Sequence, residues 1–374
     1  MMQVAVLTTW EAVSDISADW NTLLAAGPAN SVFLTWEWMQ AWSEVTHQAL
    51  APVVVTVRDE DENLVAIAPF WRTVMKVAGI RFRVLRFMGD TATGQEYPDI
   101  IVSAEAATSA PAAVWEALVK VKDVDLVWLP RVSGWSGAIS RLRDAAVQAG
   151  FRSHSRGNEF SAFALPDTLS DYEAMLSSNR RQQMRRNARK VFGGEVQFDA
   201  GVDAAGLDEL LDDLFRLHRA RWLVEGEPGS FVRRPLLSKF YRAFATRVVD
   251  RGWLGVFTLK EGDEMKAIQY GYLYGEAYHQ MQEGYDPDYV DGAGNALRYR
   301  AIEDCIEKGI RAYDFLGVHT EHKRRWGAEV RGGYDVFLGR PTMKTLPLFL
   351  RPVWPTGRFI NDLSDELVTQ AGDL

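Results

Sequence analysis

Three groups of residues in this 374-residue chain have types and spacing suited to chemistry. The first is Gly292, Gly294, Asn295 and Ala296, placed just ahead of a helix-period run of Leu297, Ala301, Ile302, Cys305 and Ile306. Glycines let a backbone approach a ligand closely, and the free N–H groups at a helix N-terminus attract phosphate oxygens. The second is the stretch Asp171–Val191, where Arg180, Arg181, Arg185, Arg186, Arg189 and Lys190 occur with no acid between Ser177 and Gly194. Guanidinium groups four or five residues apart on a helix suit phosphates. That leaves three readings: a solvated inter-domain helix, a site for a nucleotide-linked or phosphorylated substrate, or a contact with anionic lipid or tRNA. The third group is Asp314, at the end of a short strand, with Lys323 nine residues later. Strand ends face the ligand crevice in open α/β architectures. A Lys–Asp pair there orients a carboxylate or phosphate, or relays a proton if desolvation shifts its pKa values; the plainer reading has Asp314 capping a turn and Lys323-Arg324-Arg325 forming a solvated face. His319 and His322 lie in the same segment without a third ligand, so no metal is expected.

The elements that position these groups follow from periodicity. The first half reads as helices at Asp15–Ala26 and after a Thr35 cap, a hairpin Pro52–Arg58 and Leu64–Val74, and a strand Arg81–Met88. A Gly89–Gln95 loop follows, then helix Pro111–Val121, strand Asp125–Leu129, helix Ser136–Ala149 and strand Glu159–Leu165. The second half repeats that order. It opens on the basic helix Asp171–Val191 and a strand at Val196–Phe198, followed by helices Leu207–Val224 and Pro235–Asp250. A hairpin Trp253–Leu259 and Met265–Leu273 leads to strand Ala277–Gly284, helix Ala296–Lys308, strand Ala312–Leu316 and a last strand Tyr334–Leu338. The expected division is 1–168, 169–345 and a Pro-rich tail, 346–374, packed on the outside. Halves with one element order suggest a structural duplication.

Composition limits the partners. Lys and Arg number 42 against 50 Asp and Glu, a net charge of −8, which argues against a non-specific nucleic-acid binder. The single cysteine, Cys305, cannot form an internal disulfide. Apolar runs such as Leu64–Trp71 fall far short of the ~20 residues that span a bilayer, and the N-terminus lacks a basic leader, so the expected setting is cytoplasmic, with membrane contact only peripheral. Trp36, Trp38 and Trp42 recur at helical spacing and read as core.

The segment Asp291-Gly-Ala-Gly-Asn-Ala296 resembles the pyrophosphate loop of the GNAT acyltransferases, usually Q/R-x-x-G-x-G/A, with Asp291 where a Gln or Arg is usual. Tyr285-Asp-Pro287, Gly294, Tyr313-Asp-Phe-Leu-Gly317 and Lys323-Arg-Arg-Trp326 together resemble the BioF2-like (CelD-type) acetyltransferase branch, related to the FemAB aminoacyltransferases. Asn179-Arg-Arg181 with Arg185-Arg186 resembles the basic helix that opens that family's second half. The match runs from about Ser177 to Val336. The resemblance implies an α/β fold of tandem GNAT-like domains, each a mixed, largely antiparallel sheet flanked by helices. It also implies transfer of an acyl group, acetyl above all, from acyl-CoA to an amine or hydroxyl of a small or lipid-linked sugar or an envelope or exopolysaccharide precursor. An aminoacyl-tRNA donor, or a non-catalytic scaffold in polysaccharide assembly, stands as the alternative. On this resemblance the strand before the loop lies along the cleft, which makes Glu283, Tyr285, Asp314 and Lys323 the candidate catalytic residues, with Glu283 or His279 the base and Tyr285 the hydroxyl proton donor. The plainer reading of Glu283 is a solvated edge or a salt bridge. Gln282, Gly292, Gly294, Asn295 and Ala296 are expected at the cofactor, and His279, His319, Trp326, Arg181 and Arg185 at the substrate. The largest cavity is expected beside Glu283, Asp314 and Lys323.

Overall fold

A computed structural model of the chain describes residues 2–350 and 360–363. It divides into two compact units, the first comprising residues up to Asn158 together with those from Gly332 onward, the second Glu159–Arg331. The expected breaks at 168 and 345 thus differ from the compact units, for a reason visible in the strand pairing; most of the expected tail, 346–374, lies outside the described residues.

Each unit is a mixed sheet with the same order. In the first, Gln3–Leu7, Ala51–Arg58, Leu64–Val77 and Ile80–Phe87 pair antiparallel in succession, and Ile80–Phe87 then pairs parallel with Leu126–Ser133. In the second, Val196–Ala200, Leu254–Glu261, Glu264–Tyr274 and Ala277–Tyr285 do the same, and Ala277–Tyr285 pairs parallel with Ala312–Asp314. The sixth strand of each is exchanged in sequence. Residues 333–339 of strand Glu329–Gly339 pair antiparallel with Leu126–Ser133 in the first unit, whereas residues 162–164 of strand Arg152–Ala164 pair with Ala312–Asp314 in the second. Two alike sheets offer alike edges, so element order alone cannot say which edge a late strand completes. With helices flanking both sheets, the architecture is the expected tandem GNAT-like α/β fold.

Local chemistry explains two further departures. The basic stretch forms two helices, Leu169–Met175 and Ser178–Phe192, because Leu176 and Ser177 are extended and the Ser177 hydroxyl caps the second by accepting from the Arg180 N–H. The helix after the glycine loop begins earlier than its apolar period indicates, at Ala293, because Gly292 turns the chain at φ +91°. Trp38 and Trp42 are fully buried in the first unit, as expected of core, whereas Trp36 is only half-buried.

The second unit's core sets the frame of the site. Leu297, Ala301, Ile302 and Cys305 of helix Ala293–Glu307 pack with Phe163, Phe257, Tyr278 and Tyr313 of the sheet. The buried Tyr313 hydroxyl keeps two partners, since Gln269 donates to it at 2.8 Å and it donates to Gln280 at 2.8 Å. Burial pushes the Cys305 thiol up to about 12, so it is inert at neutral pH. Elsewhere in the unit, Gly284 lets helix Leu207–Val224 lie directly on strand Ala277–Tyr285. A Cβ at Gly284 would sit 2.5 Å from the His218 backbone nitrogen.

Candidate active site

The glycine segment bends around its neighbours at very short range. A Cβ on Gly292 would meet the Asn187 amide at 2.9 Å, and one on Gly294 would meet the Tyr285 ring at 3.1 Å. Gly294 and Asn295 lie in the first turn of helix Ala293–Glu307, where amides have no intrahelical acceptor and the positive end of the helix dipole is exposed. A hollow of about 230 Å³ lies there, and Arg221, Glu283, Tyr285, Asn295, Arg298 and His322 line it alongside the segment from Asp286 to Gly294.

Three elements deliver charge to that hollow. Arg298 rides the first turns of helix Ala293–Glu307, and only 3% of it is exposed. Its guanidinium donates to Glu283 of strand Ala277–Tyr285 and, at 3.0 Å, to His322 Nε2. Arg221, near the end of helix Leu207–Val224, donates to the other Glu283 oxygen at 2.7 Å. Burial raises the cost of ionising Glu283, but Arg298, Arg221 and His322 outweigh it and hold the carboxyl at about 2. A carboxylate so held does not accept a proton near neutrality. The expected role of Glu283 as a base therefore gives way to that of an anchor that aims two guanidinium groups at one hollow. The buried Nε atoms of Arg298 and Arg221 have no protein acceptor, so the arginines retain unspent donors.

The Asp314–Lys323 segment is built differently. Asp314, 2% exposed, accepts the Leu316 N–H at 2.8 Å, and its other oxygen lies 3.6 Å from His279 Nδ1 and 3.9 Å from Arg331. Leu316 and Gly317 are both left-handed, at φ +55° and +48°. Lys323 closes the same turn from the far side, its ammonium donating to the carbonyls of Leu316 and, at 2.9 Å, Val318. A leucine at positive φ is strained and persists only where its surroundings fix it. Asp314→Ala is therefore expected to lower stability by about 1–3 kcal/mol through the unmade hydrogen bond, measured by urea unfolding, while Asp314→Asn keeps most of it. Neither residue lines the hollow.

The remaining expected residues are scattered. Trp326 is fully buried, its indole stacked by Arg180 at 4.2 Å and Arg298 at 5.0 Å, so it supports the arginines instead of facing a substrate. Arg181 donates to the Glu173 carbonyl at 3.2 Å and Arg185 pairs with the Glu173 carboxylate, which ties the basic helix to Leu169–Met175. His319 Nδ1 is 2.9 Å from the Ser161 hydroxyl. Gln282 lies beside His218 and Tyr241, and Ala296 is buried in the core. The hollow does gather Glu283, Tyr285, Gly292, Gly294 and Asn295, and it adds Arg221 and Arg298, which are missing from the sequence reading, and His322, which that reading weighed only as a metal ligand. A signal for the arginines existed, because each stands on the apolar face of its helix, Arg221 a turn after Leu217 and Arg298 a turn before Ala301 and Ile302.

The expected placement of the largest cavity is not met. A wider hollow of about 810 Å³ lies on the first unit, lined in part by Asp19, Asp59, Glu62 and Glu105, far from these residues in the chain. Among the described residues no group of three or more His, Cys, Asp or Glu is placed to hold a metal ion, and no helix is long and apolar enough to cross a membrane.

Residues 178–324 match the family model described as an acetyltransferase (GNAT) domain. That segment is thus similar to an acyltransferase domain of GNAT type. No curated protein matches the chain significantly. Among solved structures, FemX is similar over 93% of this chain and 99% of its own, at 11% identity and a TM-score of 0.64. L-PGS from Bacillus licheniformis is similar over 83% of this chain and 94% of its own, at 13% identity and a TM-score of 0.50. The C-terminal domain of a lysylphosphatidylglycerol synthetase candidate from Agrobacterium fabrum covers 89% of this chain and 95% of its own, at 11% identity and a TM-score of 0.53. At such identities the likeness is one of fold.

Proposed function

We propose that the hollow beside Gly294 takes the pyrophosphate of an acyl-CoA, and that the chain moves the acyl group, acetyl above all, to an amine or hydroxyl of a sugar or of an envelope or exopolysaccharide precursor. The observation that carries this reading is convergence. Arg221, Arg298 and the first-turn amides of helix Ala293–Glu307 meet in one hollow, next to the strand that ends in Tyr285. Its size, about 230 Å³, suits a phosphate group and not a whole nucleotide, so the rest of the donor lies along the surface. In acyl transfer the acceptor attacks the thioester carbonyl, an oxyanion forms, and the thiolate leaves with a proton. Tyr285 lines the hollow, and its hydroxyl is the group assigned to supply that proton. Asp314 and Lys323, which brace the turn after strand Ala312–Asp314, are assigned to shape the acceptor side, with His279 and His319 beside them. The setting that accompanies this reading is the cytoplasm, at the inner face of the membrane where the acceptor is lipid-linked. Release of free coenzyme A thiol from acetyl-CoA on adding amino sugars tests it. Arg298→Ala abolishes release, and no release from any amine or hydroxyl acceptor favours a scaffold role.

A second reading, an aminoacyl-tRNA donor, is favoured by one specific feature. Arg186, Arg189 and Lys190 are exposed on helix Ser178–Phe192, the helix whose Asn187 abuts Gly292, while Asp291 on the hollow's rim opposes a pyrophosphate. RNA affinity that falls steeply between low and moderate salt would support this reading, since each neutralised phosphate releases counterions. Salt-insensitive coenzyme A binding would oppose it.

A further inference from the structure

A line of hydrogen bonds runs from the core of the second unit's sheet to the hollow. Gln269, 2% exposed, gives its amide N–H groups to the Tyr313 hydroxyl at 2.8 Å and the Tyr278 hydroxyl at 3.3 Å. Tyr313, fully buried, donates to Gln280 Oε1 at 2.8 Å, and Gln280 Nε2 donates to Glu283 at 3.2 Å. Residues three apart on a regular strand point to opposite faces. Gln280 and Glu283 meet because the register of strand Ala277–Tyr285 against Glu264–Tyr274 slips by one residue: Tyr270 lies opposite Gln282, yet Gly271 lies opposite Gln280. We infer that Gln280 is a positioning residue for the donor site, giving Glu283 a third donor beside Arg221 and Arg298 and so fixing the carboxylate that aims both guanidinium groups; this rests on the phosphate-binding reading of the hollow.

The direction of the line is set from the hollow inward. Each Glu283 oxygen accepts from an arginine, and a guanidinium has donors only, so the carboxylate offers Gln280 nothing but acceptors. Gln280 therefore turns its amide N–H toward Glu283 and its carbonyl toward Tyr313, which commits the Tyr313 proton to Gln280. Gln269 then has to donate to Tyr313. The cost falls on Gln269 Oε1, which is buried with no donor among the described residues. Turning that amide over would bring its oxygen to the Tyr313 hydroxyl. It would also take the Tyr313 proton from Gln280 and set the Gln280 carbonyl against the Glu283 carboxylate. Arg221 and Arg298 are long side chains that can move with Glu283, whereas Gln280 is pinned to the core through Tyr313. The line thus ties the charged cluster to the sheet, as a site that must hold its geometry requires.

Calorimetric titration of the full chain with inorganic pyrophosphate tests this, each variant being compared with wild type at the same pH. Gln280→Met keeps the volume and removes the donor; it is expected to weaken binding about tenfold at both pH 8 and pH 5, as loss of a hydrogen bond to a charged group does. Gln280→Glu should bind at least as weakly at pH 8, where two carboxylates would face each other. At pH 5 it should return to within a few-fold of wild type, because its protonated carboxyl has an O–H for Glu283 and a carbonyl for Tyr313. Tyr313→Phe should weaken binding by itself but change it less than about twofold on top of Gln280→Met, since Tyr313 acts through Gln280. Gln280 variants equally weak at pH 5, binding indifferent to every substitution, or a Tyr313→Phe effect that survives Gln280→Met unchanged overturns the inference alone. A folded wild type that binds no pyrophosphate overturns the phosphate reading and the inference with it.

Discussion

Alanine at Glu283 is expected to destabilise the protein by roughly 3–5 kcal/mol, as removal of one partner from a buried ion pair does. Arg298 is 3% exposed, and the alternative for its charge is to stay buried without a counter-charge. Arg221 loses the same partner. A base acting on the acceptor would behave otherwise, losing turnover with stability intact. The pH dependence separates the two roles further. The folded pKa of Glu283 lies at about 2, below the ordinary 4.5, so its contribution is fully present above about pH 4.5 and is lost as pH falls toward 2. Urea unfolding of wild type and Glu283→Ala should therefore differ most near neutrality and converge as the pH drops through that window. A constant gap across it, or no gap at pH 7, would remove the anchor role.

Gly284→Ala is expected to cost about 3 kcal/mol, at the upper end for overpacking. The added carbon would meet backbone atoms, His218 N at 2.5 Å and the Leu217 carbonyl carbon at 2.8 Å, and a helix backbone cannot yield as a side-chain tip can. The displaced helix, Leu207–Val224, is also the one that carries Arg221, so donor binding should weaken along with stability. Gly194→Ala is the control. Nothing lies within 4 Å of its Cβ position, and its stability should stay within about 0.5 kcal/mol of wild type. Equal melting midpoints for the two variants would mean that the close helix–strand approach does not hold in solution.

How much of this was legible in the sequence depended on range. Period-2 and period-3.6 patterns marked most strands and helices, and the glycine segment before Leu297 marked the start of the site. The exchange of the sixth strands was hidden, because 162–164 and 333–339 choose between like edges through contacts far away in sequence. The split of the basic helix was legible in principle, since Ser177 is a strong N-cap, but the continuous run of arginines obscured it. For the site, type and spacing found the loop and Glu283 but misjudged what Glu283 does. Its role is set by Arg221 and Arg298, which are 62 and 15 residues away along the chain. Trp326 was misread for a similar reason: an aromatic beside Lys323-Arg324-Arg325 resembles a ligand platform until its full burial is seen.

The central claim is that the hollow at Gly294 holds the phosphates of the acyl donor, and calorimetric titration with coenzyme A and acetyl-CoA tests it most directly. The account predicts micromolar binding of both, sharply weakened in Gly294→Glu, whose side chain would start 3.1 Å from the Tyr285 ring and bring a carboxylate to the helix N-terminus. Folded wild-type protein that binds neither compound, or a Gly294→Glu variant that binds them equally well, would contradict it.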